Sequence, residues 1–378
     1  MRAPTRHPLR AVLTALLAGQ ALWLFPACGG EAGLVPGQDG GSDAGSGSDA
    51  GPIAAAAGSW SWVDFPDTSC DDGSPTGIGI NPSPSSSTNV LVFFNGGGAC
   101  WDYQTCYVFN TAVHGPYGNA QFQQQFGGST PAQGSILDRT LANNPFADWN
   151  LVFVPYCTGD VHSGSNVITY TSGSTSKVTH HTGHANALSY LGRLEQTFTA
   201  PGKVVVSGSS AGGFGALLNY DSFRKGFPSA SVYLVDDSGP VLQGNSIPAA
   251  IRSAWFTSWN LGALVDPLCG TACHDDLSLS YPQLQARYPN DRMSLLSSEQ
   301  DQVIRSYFQL SASDFQTALF SLTSARFDAT PHWHYFFLSG QSHTMLGGPT
   351  GLMPGSVSLL TFLKQQVTDD AAWSTQKP

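Results

Sequence analysis

Six unbroken apolar runs of strand length punctuate the chain after residue 59. They are VLVFF from Val90, LVFVPY from Leu151, KVVVSG from Lys203, SVYLVDD from Ser231, MSLLSS from Met293 and HYFFLSG from His334. Runs without polar alternation belong to strands buried on both faces, as in a parallel sheet. Between them the apolar positions take helical spacing. GHANALSYLGRLEQTF from Gly183, GGFGALLNYDSFRKGF from Gly212 and SVSLLTFLKQQV from Ser356 predict helices, the last with Ser356 as its N-cap. Strands alternating with helices predict an α/β fold, a mostly parallel central sheet with helices on both faces. Two β-rich segments, SWSWVDF from Ser59 and GIGINP from Gly77, come first. No tether-like stretch or internal repeat interrupts the chain beyond Ser59, so one domain over 59–378 is expected.

The residues before that domain read differently. Arg2, Arg6 and Arg10 precede a short apolar stretch, Ala11 to Phe25, and then PACGG. A basic start and a short apolar run predict a secretory signal over 1–28. Cys28 stands where a bacterial lipoprotein is cleaved and acylated, and ordinary signal cleavage is the alternative. Residues 29–58 are Gly-, Ser-, Asp- and Ala-rich, which predicts a flexible tether. A cell-surface lipoprotein or a secreted protein is therefore expected, touching membrane only through a lipid on Cys28.

Charge and cysteines narrow the class. Formal net charge is -10 and only 11% of residues are charged. With no basic run in the folded part, nucleic acid is not an expected partner. Setting Cys28 aside leaves six cysteines, an even set that in an exported chain predicts disulfides. No C-x-x-C pair occurs. The stretch HHTGH offers His180 and His184, which a helix would bring to one face, but Gly183 interrupts it and no carboxylate or cysteine is close in sequence. No metal site is expected.

The chemistry centres on Gly208-Ser209-Ser210-Ala211-Gly212, a G-x-S-x-G pattern between a predicted strand and a predicted helix. Such a tight turn tolerates only small residues beside the serine and lifts its hydroxyl clear of the sheet; this is the nucleophile elbow of α/β-hydrolases. Serine needs a base, a group to orient that base, and donors for the oxyanion. Gly96, Gly97 and Gly98 follow an early strand and supply a loop whose backbone can approach a substrate. The N–H of Ala211 completes the hole. The fold orders its triad Ser, acid, His. His343 follows the last strand and a polar turn, where the base belongs, whereas His332 and His334 flank a strand start. Asp301 best fits the acid slot, and Asp237, at the end of the strand after the elbow, is its rival. Trp101 and Tyr103 either line a pocket or cover the core. Asp160 and His162 either touch substrate or hold a turn.

Five stretches resemble the pectin acetylesterase/Notum family of serine carboxylesterases. They are CDDGSPTGIGI from Cys70, NGGGACWDYQTC from Asn95, PYCTGDVHSG from Pro155, GSSAGGFGALLNYD from Gly208 and SGQSHTML from Ser339. The resemblance implies an α/β-hydrolase fold with Ser210, Asp301 and His343 as triad, and Gly97, Gly98 and Ala211 as oxyanion donors. It implies disulfides Cys70–Cys157 and Cys100–Cys106, leaving Cys269 and Cys273 for a local pair. Asn95 replaces the family's acidic residue, and Gly98 its tryptophan, which is expected to open the mouth of the site. A monomeric carboxylesterase needing no cofactor is expected, acting on an ester substrate, foremost an acetylated polysaccharide. A lipid-like or polyester acyl ester is the alternative, and a non-catalytic binding protein a third.

Overall fold

The computed structural model describes residues 51–128 and 132–378. Cys28, the signal segment and residues 29–50 of the expected tether lie outside the described residues. Among the described residues there are ten strands: β1 (Ser61–Phe65), β2 (Thr76–Asn81), β3 (Val90–Phe94), β4 (Asn150–Val154), β5 (Asn166–Ser172), β6 (Thr175–His181), β7 (Lys203–Ser209), β8 (Ser231–Asp237), β9 (Met293–Ser298) and β10 (Trp333–Leu338). Eight form one sheet in the order β1-β2-β4-β3-β7-β8-β9-β10. From β4 to β10 every neighbour is parallel, and β1 and β2 add an antiparallel edge. β5 and β6 form a separate hairpin.

The apolar runs are buried on both faces, as their lack of alternation requires. In β3, Val90, Val92 and Phe94 join one core cluster with Val204, Val206, Leu234 and the helices Gly183–Thr197 and Ala211–Gly226. Leu91 and Phe93 join the other, with Val205, Val235 and the helix Leu359–Val367. That last helix is capped by Ser358, whose hydroxyl accepts from Thr361 N–H, and not by Ser356. Starting there turns Leu359, Leu360, Phe362 and Leu363 inward together.

Two further expectations shift. Residues 51–58 do not behave as free tether: Ile53 N–H donates to Thr197 Oγ1 at 2.9 Å, and Ile53 and Ala55 pack against the core. Two partly buried apolar side chains hold this segment to the domain. His180 lies on β6 and His184 on the helix that follows, so they share no helix face. The disulfides Cys70–Cys157, Cys100–Cys106 and Cys269–Cys273 all form. Among the described residues no helix is long and apolar enough to cross a membrane.

β3 has β4 on one side and β7 on the other. The glycine loop and the G-x-S-x-G turn therefore leave adjacent strand ends, where open α/β sheets form their ligand crevice.

Candidate active site

Ser210 sits between β7 and the Ala211–Gly226 helix with φ 59° and ψ -122°. Only a strand-to-helix turn of great sharpness needs this backbone, which costs a non-glycine residue about 1–3 kcal/mol. The surroundings enforce it. Ser210 N–H donates to the Asp237 carbonyl at 2.7 Å, and the Ser210 carbonyl accepts from Gly213 N–H at 2.8 Å. A Cβ on Gly212 would lie 1.9 Å from the Phe94 carbonyl oxygen, so the helix can start this close to β3 only with glycine there.

The glycine loop runs beside this turn. The Gly97 carbonyl accepts from Val113 N–H at 2.7 Å, and the Gly98 carbonyl from the Tyr156 hydroxyl at 2.8 Å. A trans peptide points its N–H opposite its carbonyl. With the Gly97 carbonyl turned to Val113, the Gly98 N–H faces the other way. Gly98 and Ala211 line the same pocket as Ser210, whereas Gly97 lies outside that lining, against Tyr156 and Val113. The mouth expected to stand open at Gly98 is not empty. Gly98 has φ 81°, and a Cβ on it would meet the Thr111 carbonyl at 2.1 Å and the Tyr307 hydroxyl at 2.5 Å. Tyr307, which donates to Thr111, occupies the place expected to stand open.

His343 Nδ1 is 2.7 Å from Asp301 Oδ2. The other carboxylate oxygen accepts from Val303 and Ile304 N–H and caps the helix Gln302–Tyr307. An ionised carboxylate only accepts, so the imidazole proton sits on Nδ1 and leaves Nε2 as an acceptor. Asp237 faces a different set of donors. Its carboxylate accepts from Ser209 Oγ at 2.7 Å and from the backbone N–H groups of Met345 and Leu346. Burial pushes its carboxyl upward, while the Leu346 N–H and the Ser209 hydroxyl pull the other way. Asp237 thus ties the residue before Ser210 to the residue two after His343.

A narrow, largely apolar pocket with a cavity volume of about 50 Å³ opens at Ser210. Its wall includes Trp101 after the glycine loop, Phe214 and Leu218 from the helix after the serine, Ile247, Trp255 and Trp259 farther along, and Ile304, Tyr307 and Phe308 after the acid. Trp255 and Trp259 stack at 5.6 Å, and Trp101 meets Trp255 edge-on at 6.1 Å. The indole of Trp259 donates to the Cys100 carbonyl at 2.9 Å, which ties this wall to the Cys100–Cys106 loop.

Trp101 is therefore a pocket residue, and Tyr103 and His162 are not. Tyr103 packs on Tyr107 beside the Cys100–Cys106 disulfide. His162 is buried beneath β3, with Nε2 2.8 Å from the Asn95 carbonyl. Desolvation pushes it down to about 4, against the pull of that carbonyl, so the ring stays neutral and donates Nε2–H to the residue that opens the glycine loop. Asp160 accepts from Thr158 Oγ1 and from the N–H groups of His162, Gly164 and Gly183. Both hold turns. Cys100, Cys106 and His181 also gather closely, but the disulfide leaves no thiolate there to bind a metal. Beyond Trp101, sequence reasoning missed the pocket wall. Trp255 and Trp259, four apart in SAWFTSWN, were its only local signal.

The pectinacetylesterase family model matches residues 63–319. The palmitoleoyl-protein carboxylesterase NOTUM of Schmidtea mediterranea is 32% identical over 160 residues, covering 41% of this chain and 28% of the relative. Pectin acetylesterase 11 of Arabidopsis thaliana is 28% identical over 181 residues, covering 47% of this chain and 44% of the relative. The chain thus spans less than half the length of these curated relatives. The crystal structure of the Wnt deacylase Notum from Drosophila aligns with a TM-score of 0.62 at 20% identity, over 85% of this chain and 97% of that one. The two share an α/β-hydrolase-like fold. With a family model matched over more than half of its length, this chain belongs to the pectinacetylesterase family.

Proposed function

We propose that this protein hydrolyses carboxylic esters by acyl transfer through Ser210, and that it accepts apolar acyl chains longer than acetyl. Ser210 Oγ attacks the carbonyl carbon and His343 Nε2 takes its proton. Asp301 keeps the proton of Nδ1 in place and stabilises the imidazolium. The N–H groups of Gly98 and Ala211 hold the oxyanion. His343 then protonates the departing alcohol, and water releases the acyl group from Ser210.

The observation that carries the acyl preference is the apolar pocket opening at Ser210. Each methylene buried there contributes about 0.8 kcal/mol. An acetyl group offers a single methyl to a wall that includes three tryptophans. The name of the Schmidtea relative gives a palmitoleoyl ester as its substrate, which supports this choice. An acetylated polysaccharide is the alternative, supported by the family model and the pectin acetylesterase relative. Export belongs to the same proposal, with or without a lipid on Cys28, since three disulfides suit an oxidising compartment.

Turnover of p-nitrophenyl esters from acetate to palmitate tests both parts. We expect kcat/KM to rise by up to about fourfold per added methylene while the chain still fits, following the burial energy. A profile highest at acetate and falling thereafter would favour the polysaccharide reading. No hydrolysis of any ester by the folded protein would favour a non-catalytic scaffold.

A further inference from the structure

The pocket at Ser210 does not end in a thick wall. Two side chains, Ile247 and Phe308, belong both to its lining and to that of a second cleft, about 620 Å³ in volume and open to solvent. Both are buried, at 3% and 2% exposure, and each borders the inner pocket as well as the outer cleft. Neither stands inside a long element. Ile247 follows the single turn Gly244–Ser246, and Phe308 follows the helix Gln302–Tyr307. Short connections of this kind can shift without disturbing the sheet.

The two compartments differ in chemistry. The inner one is walled almost entirely by apolar side chains. The outer one has Asn245, Ser246, Arg252, Asp275 and Gln309 in its lining. Arg252 donates Nη1–H to the carbonyls of Gly244 and Ile247, and its Nε is buried without a partner. Among the described residues it makes no ion pair, although a guanidinium carries five donors. The outer cleft meets the inner pocket at its acyl wall and does not include Ser210, Gly98 or Ala211. What reaches it from the serine is the far end of an acyl chain, not the alcohol.

The geometry points to a distal subsite: a long acyl chain passes between Ile247 and Phe308 and places an oxygen-bearing end beside Arg252. The substrate class is then an ester of an ω-oxygenated long-chain acid, with a hydroxyl or carboxylate at the end remote from the scissile bond. The inference rests on the ester-hydrolase reading. The inner pocket selects the chain and the outer cleft selects its terminus.

The full chain is assayed with three p-nitrophenyl esters: butyrate, dodecanoate, and the dodecanoyl ester carrying an ω-carboxylate. Because the readouts are ratios, a general loss of activity cancels. Ile247→Trp should lower the dodecanoate-to-butyrate ratio of kcat/KM at least tenfold, taking about fourfold per methylene turned away. Phe308→Ala should raise the same ratio. Arg252→Gln should lower the ratio of ω-carboxylated ester to plain dodecanoate about tenfold, the scale of one charge-assisted hydrogen bond. Thermal melts show whether each variant is folded, and Ile247→Phe and Arg252→Met stand in for any that is not. A dodecanoate-to-butyrate ratio indifferent to the Ile247 and Phe308 variants, or an ω-carboxylate ratio indifferent to Arg252, overturns the subsite. If the unmodified protein hydrolyses none of the three esters, the ester reading fails instead.

Discussion

Asp237 and Asp301 lie at the ends of adjacent strands, and their partners separate their roles. Asp301 spends one oxygen on His343 Nδ1 and the other on a helix N-terminus. Asp237 spends its carboxylate on Ser209 and the loop after His343. Asp301→Asn should therefore leave the melting temperature nearly unchanged and lower kcat by about 10⁴, because the amide favours the wrong imidazole tautomer. Asp237→Asn should do the reverse in emphasis. It puts N–H groups against N–H groups and should cost about 2–3 kcal/mol of stability, the scale of buried hydrogen bonds to a charged group. Denaturant melts and ester kinetics on both variants check this, and a larger kinetic loss at Asp237 would exchange the two assignments. The turn at Ser210 and the pairing of His343 with Asp301 were legible because order along the chain and position after a strand constrain them. The tie made by Asp237 was not, since it depends on where the chain returns after residue 343. His162 misled for a related reason: a polar residue in a turn looks exposed until tertiary packing covers it.

Elements decide which parts of the site are rigid. Cys70–Cys157 closes 87 residues of chain, and Cys100–Cys106 closes six. In the chain-entropy model the long loop is worth about 4–5 kcal/mol and the short one about 2 kcal/mol. Cys70→Ser with Cys157→Ser should thus lower the unfolding free energy by about twice as much as Cys100→Ser with Cys106→Ser. Activity should follow the opposite order. The short loop carries Trp101 and receives the Trp259 indole, so opening it loosens the pocket wall while the sheet persists. Melts and kinetics on the two double variants check both orders; equal activity losses would detach the short loop from the site. At this scale the six buried strands and three of the helices were readable from hydrophobic period alone. The helix cap was misplaced by two residues because Ser356 and Ser358 are both competent caps, and only the inward face of Leu359–Val367 chooses between them. The pocket wall was unreadable because Trp255, Ile304 and Phe308 look like ordinary core until the Ala211–Gly226 helix is packed beside them.

Across the whole molecule, the parallel sheet pairs Val90 of β3 with Val204 of β7, 114 positions apart, and so brings the glycine loop beside the turn that carries Ser210. At the mouth, the Tyr307 hydroxyl stands where a Cβ on Gly98 would lie, although the two residues are 209 positions apart. The central claim is that Ser210 alone is the nucleophile and that an acyl pocket opens beside it. Labelling with a long-alkyl fluorophosphonate, read by intact mass and peptide mapping, tests this most directly. The account predicts one adduct per chain on the peptide containing Ser210, with Ser209 unmodified and hydrolysis lost in step with labelling. Ser210→Ala should take up no label and lose hydrolysis by about 10⁴ or more. A folded Ser210→Ala protein that still labels, or still turns over esters at the original rate, would contradict it.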